Sequence, residues 1–327
     1  MQDVFGMNVE TSSPQRTPHS RRRFIQRAGG GVIASALASV SGLLDQRGGA
    51  AAEPAPRKKI PVGSNIYGWG QYYERMKKNV NDHLEEVFSA LRDAGYDYLE
   101  GFLDVKQPEN NAKFADRMRA NGLRPVSVYT GGRLHEAAKA SAVVHQMLDA
   151  AEVCQKAGYS IIECNPDPIG REKTEEELKT QISALNEFGA GLKQMGLRLG
   201  IHNHTPEMVN KAREFHYNLD QSDAVLVGLC YDVHWVFRGG IGPAEVLKQY
   251  GRRVVSWHLR QSRDRIWWED LAKGDIDYEA VAQFANEHAL MAPYTVELAI
   301  ESGTKITRSV VENHQRSREY VRKAFGV

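Results

Sequence analysis

From Ile60 to the C-terminus, short apolar runs alternate with longer amphipathic stretches, and the cycle completes eight times. The pattern predicts strands over Ile60–Tyr67, Tyr96–Leu103, Leu123–Tyr129, Tyr159–Cys164, Leu197–His202, Ala224–Tyr231, Arg253–Leu259 and Tyr294–Ile300. It predicts helices over Tyr72–Ala94, Asn111–Asn121, Leu134–Ala157, Thr174–Gly196, Pro206–Asn218, Pro243–Tyr250, Tyr278–His288 and Thr307–Phe325. Gly95, Gly122, Gly158 and Gly196 punctuate the helix ends, and Thr174 followed by Glu175, Glu176 and Glu177 reads as an N-cap with an acidic first turn. Parallel strands need crossover helices, so eight strand–helix units in a stretch of this length predict an α/β fold. The specific expectation is a (β/α)8 TIM barrel in a single domain over residues 60–327. An open doubly wound sheet is the alternative. Against it, no G-x-G-x-x-G follows the first strand and no phosphate-binding P-loop occurs.

In such barrels the chemistry sits where strands run into the following loops. The strand ends here carry Glu163, His202, Asp232, His258 and Glu297 on five consecutive strands. A lone strand-end histidine is more often a hydrogen-bonded rim residue than a ligand. Five ionisable groups converging on one mouth repel and lose solvation unless a cation neutralises them. A mixed carboxylate–imidazole set without cysteine suits Mn²⁺, Co²⁺, Mg²⁺ or Zn²⁺.

Several motifs carry a resemblance: Ala94-Gly95-Tyr96-Asp97-Tyr98-Leu99-Glu100, Ile201-His202-Asn203-His204, Asp232, Trp257-His258-Leu259-Arg260, Gly274-Asp275-Ile276-Asp277-Tyr278 and Val296-Glu297. Together they make the chain similar to the xylose-isomerase-like TIM barrels, which include sugar-phosphate isomerases and epimerases, inosose dehydratases and endonuclease IV. The resemblance implies a divalent metal held by a Glu, an Asp, a His and a Glu on strands five to eight. Asp232, His258 and Glu297 match the last three positions, and His202 stands where the family has its first Glu. Either His202 binds the metal itself or Glu163 supplies the missing carboxylate. The resemblance further implies proton removal beside a sugar carbonyl, with Glu297 as base and Glu163 or His202 as the opposite-face acid. The outcome is isomerisation or epimerisation through an enediolate, with dehydration or glycoside elimination as the lyase alternative. A non-catalytic sugar-binding protein is the rival from another class.

His204, two residues beyond His202, is a candidate for metal or a substrate hydroxyl. His234 lies two residues after Asp232 rather than the family's three. Arg260 and Arg263 are candidates for substrate oxygens, and Trp268, in the loop after strand seven, for sugar stacking. Trp257 alternates with His258 and is expected among the helices. Glu100 is open between a site role and a structural one. Asp275 and Asp277 are expected to cap the following helix.

Composition closes off other classes. With 42 Lys+Arg against 41 Asp+Glu, the formal charge of +1 gives no reason to expect nucleic acid or an anionic membrane as partner. At 42% hydrophobic residues the chain is not disordered. Cys154, Cys164 and Cys230 form no C-x-x-C pair and read as buried thiols. Arg21-Arg22-Arg23-Phe24, the mildly apolar Ala28–Leu44 and Ala50-Ala51-Ala52 make residues 1–52 a twin-arginine-type signal peptide, followed by a linker over residues 53–59. That address predicts a periplasmic or otherwise exported protein with no stable membrane span after cleavage. Its small-molecule partner would be a free sugar, an oxidised sugar or a glycoside rather than a sugar phosphate.

Overall fold

The computed structural model describes residues 59–327; the signal peptide expected over 1–52 and nearly all of the expected linker lie outside the described residues. The strands β1 (Val62–Asn65), β2 (Tyr98–Phe102), β3 (Ser127–Gly132), β4 (Ile161–Pro166), β5 (Arg198–Ile201), β6 (Val227–Asp232), β7 (Val254–Leu259) and β10 (Tyr294–Val296) close into one barrel, every neighbouring pair parallel. The predicted (β/α)8 architecture is thus the one observed. A small antiparallel hairpin, β8 (Ser262–Arg263) with β9 (Ile266–Trp267), projects from the loop after β7.

The helices are α1 (Ile66–Arg75), α2 (Leu84–Asp93), α3 (Glu109–Ala120), α4 (Ala140–Lys156), α5 (Glu175–Gln194), α6 (Thr205–Gln221), α7 (Val233–Arg238), α8 (Pro243–Tyr250), α9 (Tyr278–Glu287) and α10 (Val310–Phe325). Local chemistry sets their ends. Thr174 and Glu177 form the reciprocal capping box at the start of α5, with Glu177 N donating to Thr174 Oγ1 at 3.2 Å and Thr174 N to Glu177 Oε2 at 2.7 Å. Gly158 and Gly196 take φ of 86° and 75° just past α4 and α5, a left-handed conformation that glycine adopts without strain.

Five departures from the expected pattern bear on the site. The first strand stops at Asn65, because its side chain accepts from Tyr67 N at 2.7 Å and starts α1. The helix expected over Tyr72–Ala94 is instead α1, a 3₁₀ turn at Val80–His83 and α2, with Lys77 breaking the run at φ 58°. Asp232 likewise accepts from Trp235 N at 2.7 Å and caps α7, a short helix that the periodicity did not reveal. The helix expected over Pro206–Asn218 spans Thr205–Gln221 but is interrupted, with Asn210, Lys211 and Ala212 left-handed at φ 49°, 59° and 57°. The last strand ends at Val296 rather than Ile300; its register partners are Leu259, the last residue of β7, and Ser64, the last but one of β1.

Successive strand side chains point to opposite faces. On β7, Trp257 therefore turns outward and His258 inward. Trp257 is fully buried among Tyr231 (ring centroids 5.1 Å), Tyr294 (5.6 Å) and Phe325 (6.3 Å), as expected. Burying each such ring contributes about 2–3 kcal/mol. Inside the barrel the fit is close: a Cβ on Gly63 would fall 2.3 Å from the Tyr98 ring. All three cysteines are buried and free, also as expected.

Candidate metal centre

Interior parity continues to the loop ends of β5, β6, β7 and β10, and there it brings four side chains together. One ligand atom from each of His202, Asp232, His258 and Glu297 lies within 4.8 Å of every other. Their exposures are 2%, 0%, 1% and 8%. His202 Nε2 faces Asp232 Oδ2 at 3.5 Å, and His258 Nδ1 faces Glu297 Oε2 at 3.3 Å. His202 and His258 have ring centroids 4.8 Å apart. Yet His202 Nε2, Asp232 Oδ2 and His258 Nδ1 are buried without a hydrogen-bond partner. Buried polar atoms are rarely left so. Donor atoms crowding one point without hydrogen-bond alignment fit a divalent cation, and the carboxylate–imidazole set is one that Mn²⁺, Co²⁺, Mg²⁺ and Zn²⁺ accept.

Glu163 is not part of this foursome. It sits below it with Glu100: His258 Nε2 lies 2.8 Å from Glu163 Oε2 and 3.0 Å from Glu100 Oε1. Both carboxylates are completely buried. Glu100 accepts from Asn65 Nδ2 at 2.7 Å and from Ser127 Oγ at 2.5 Å, and Glu163 accepts from Cys230 Sγ at 3.1 Å. His258 thus has two faces, one nitrogen toward the cluster and the other toward an acidic floor. A carboxylate behind a ligating imidazole fixes its ring and raises its basicity. Glu163 thus borders His258 on the floor side, and with Glu100 and His258 it forms a second group of three whose ligand atoms lie within 4.8 Å of one another. Glu100 is a member of the same floor.

The electrostatics follow from this layout. Burial raises the Glu100 carboxyl, Glu163 beside it raises it further, and it stands at about 7. Burial also pushes Glu163 up, but the His258 charge outweighs it and brings it to about 2. Burial alone would lower His258, and Cys230, Glu163 and Glu100 around it hold it well above the usual imidazole range. At Glu297 burial is again opposed, here by the Arg260 guanidinium and by His258, which keep the carboxyl far below its ordinary value.

Arg260, fully buried, pairs through Nη2 with Glu297 Oε1 and is covered by Trp267, whose ring centre lies 4.0 Å from the guanidinium carbon. It does reach the site, through Glu297. Arg263 and Trp268 do not join it: Arg263 is exposed, stacks on Trp268 at 3.9 Å and donates to Lys273 O at 3.3 Å. The reason is the hairpin, where the alternating residue Trp267 turns inward and Trp268 away. His204 stacks edge-on against His202 (4.7 Å) and Trp235 (5.5 Å), and burial followed by the His202 charge lowers it to about 3. His234 is fully buried in the first turn of α7 beside Phe237 and Trp267, neither ring nitrogen hydrogen-bonded, and burial followed by Arg260 lowers it to about 3. Asp277 caps α9 by accepting from Ala280 N at 3.0 Å, as expected. Asp275 instead orders the hairpin, accepting from Ser262 Oγ, Asp264 N and Arg265 N.

Residues that single-position reading passed over include Asn65, Ser127 and Asn165, the last facing His202 Nδ1 at 3.4 Å. The first two lie on the strands flanking Glu100, and only the cross-strand register places them beside it. Of two surface cavities among the described residues, the larger, about 780 Å³, lies between α9 and α10 and is lined by Glu279, Gln283 and Tyr320, away from the cluster. The smaller, about 350 Å³, is lined by Thr205, Met208, Trp235, Arg238 and Arg265, next to His204. Among the described residues, buried donor atoms converge at the cluster and not along the lining of the larger cavity.

An eight-stranded parallel barrel that aims acids and imidazoles from β5, β6, β7 and β10 at one point has the TIM-barrel architecture, with its polar groups at the carboxyl ends of the strands. The chain belongs to the xylose isomerase-like TIM barrel family, which residues 88–324 match. It is 34% identical over 116 residues to an inosose dehydratase of Clostridium perfringens, covering 35% of this chain and 39% of that one. The chain thus spans less than half the length of the first curated relatives it matches. To an inosose dehydratase of Geobacillus kaustophilus it is 25% identical over 219 residues, covering 62% of this chain and 67% of that one. Among solved structures it resembles a sugar phosphate isomerase/epimerase from Parabacteroides distasonis, with TM-score 0.65, 18% identity and coverage of 81% of this chain and 99% of that one. It also resembles D-allulose 3-epimerase from Methylomonas sp. in complex with D-allulose, with TM-score 0.63, 15% identity and coverage of 82% and 98%.

Proposed function

We propose that the protein is a divalent-metal-dependent isomerase or epimerase of a sugar or keto-sugar, exported by its twin-arginine-type leader. The observation that carries this is the convergence of His202, Asp232, His258 and Glu297, with three of their donor atoms buried and unpaired. His202, Asp232, His258 and Glu297 would hold the metal, with His202 taking the place of the family's strand-five carboxylate. When bound there, a divalent ion polarises the sugar carbonyl and stabilises enediolate charge.

The chain's own residues do the rest. Glu297, kept ionised by Arg260 and the most exposed of the four, accepts the proton from the carbon beside the carbonyl. His202 stands three strands around the barrel from Glu297, on the side from which a proton would have to return for epimerisation. The Glu100–Glu163 floor keeps the His258 ring aimed, and Trp235 and Trp267 exclude water from Arg260. The relatives named inosose dehydratase favour a second reading, in which the same deprotonation is followed by loss of a β-hydroxyl, giving a lyase.

The experiment is elemental analysis of the purified protein, joined to NMR of a keto-sugar panel in deuterated water. Stoichiometric metal with deuterium incorporated beside a carbonyl supports the isomerase or epimerase reading, and an unsaturated or dehydrated product supports the lyase. Sugar binding without metal and without exchange would make the protein a binding module and overturn both.

A further inference from the structure

The barrel mouth has two chemically different halves. Strands β5, β6, β7 and β10 end in the ionisable cluster, whereas β1, β2 and β3 carry rings: Tyr67 just past β1, Phe102 at the end of β2 and Tyr129 within β3. Tyr67, two residues past Asn65, is 40% exposed, and Phe102, the last residue of β2, is 57% exposed. Phe102 and Tyr129 are register partners. They lie two residues beyond Glu100 and Ser127, whose side chains bond to each other inside the barrel, so they share the inward-facing parity at the loop end. The Phe102 ring meets Tyr129 edge-on at 6.1 Å, and Tyr129 meets the candidate ligand His202 edge-on at 5.5 Å. A single exposed phenylalanine needs no explanation. A run of rings leading from solvent to a buried chelating group does.

Resting on the metal-centre reading above, we infer that Phe102 and Tyr129 form a stacking subsite for a second ring. The substrate is then a glycoside, with its sugar ring at the cluster and its attached ring over Phe102. The apolar face of a sugar or an aromatic aglycone packs on aromatic rings, and the subsite lies two ring contacts from His202, next door to the chelated ring. A phosphoryl group would call for free guanidinium or ammonium groups here. Arg260 is instead bonded to Glu297, and Arg133, just beyond β3, pairs with Glu136 at 3.3 Å.

The test is calorimetric titration of the full chain loaded with Mn²⁺, using phenyl β-D-glucopyranoside and methyl β-D-glucopyranoside, with saturation-transfer NMR on the phenyl protons. The phenyl glycoside is expected to bind about fivefold tighter or better, with transfer to its ring protons. Phe102→Ala should bring the ratio of the two affinities close to one, and Phe102→Tyr should keep it. Equal affinities in the parent protein, a ratio that survives Phe102→Ala, or no binding of either probe would overturn the subsite. Repeating the titration after chelation separates the two readings. A phenyl preference that persists undiminished without metal keeps the subsite and removes the metal centre, whereas equal affinities that both vanish on chelation do the reverse.

Discussion

Arg260 holds Glu297 at two points: its Nη2 pairs with the carboxylate and its Nε donates to the main-chain carbonyl of the same residue at 3.3 Å. The guanidinium is the main force keeping the Glu297 carboxyl depressed against the effect of burial. Replacing it with a neutral side chain must raise that carboxyl. In Arg260→Met the acidic limb of the pH–rate profile for α-proton exchange is therefore expected to move to higher pH, because a smaller fraction of Glu297 is ionised at mildly acidic pH. A limb that stays in place would mean that Glu297 is not the group that takes the proton.

The floor beneath His258 makes a separate prediction. Glu163→Gln keeps the volume but removes the charge facing His258 Nε2 at 2.8 Å. Loss of such a supporting carboxylate typically costs about 10–100-fold in metal affinity. Asp232→Asn, which alters a ligand directly, should cost more. Competition with a chromogenic chelator measures both, and equal affinities in Glu163→Gln and the parent would show the floor to be unconnected to the metal.

Helix α1 is seated against the strand end that carries Glu297. A Cβ at Gly68 would lie 2.7 Å from the carbonyl oxygen of Leu298, a contact that only a shift of backbone can relieve. Gly68→Ala is expected to destabilise the fold by about 1–3 kcal/mol and to weaken metal binding, since Leu298 adjoins Glu297. Chemical denaturation and metal titration report the two effects.

His314 lies on α10, far in sequence from the cluster, stacked on Trp69 at 4.2 Å, with Nε2 facing Ser64 Oγ at 2.8 Å. Burial lowers it to about 4. Above about pH 6.5 it is neutral both folded and unfolded and has no effect on the pH slope. Below that the unfolded chain takes up the proton and the native state refuses it until about pH 4, so stability falls across that window, by up to about 3 kcal/mol from this residue. His314→Gln should flatten the fall in melting temperature between pH 6.5 and 4, and an unchanged slope would contradict it.

The barrel was legible because its signal is redundant: eight apolar runs, each followed by a helical stretch and four of these closed by a glycine, admit few other topologies. Asp232, His258 and Glu297 were legible because each stands at or next to the carboxyl end of its strand. What the sequence hid were relationships between elements. Asn65 and Asp232 look like strand residues, yet each turns its side chain back to cap a helix, and that decision depends on where the neighbouring strands stop. Glu163 and His202 both read as strand-end ligands, but the barrel stagger sets Glu163 opposite Gly200, one layer below His202. Trp267 and Trp268 are adjacent, and only the small hairpin determines which of them covers Arg260.

The two-faced position of His258 has a practical consequence for anyone transplanting this centre. Copying its four upper side chains into another cylinder would leave the imidazole unsupported and free to swivel. Asn65, Glu100, Ser127 and Glu163 would have to travel with it, so the smallest portable unit draws on all eight staves.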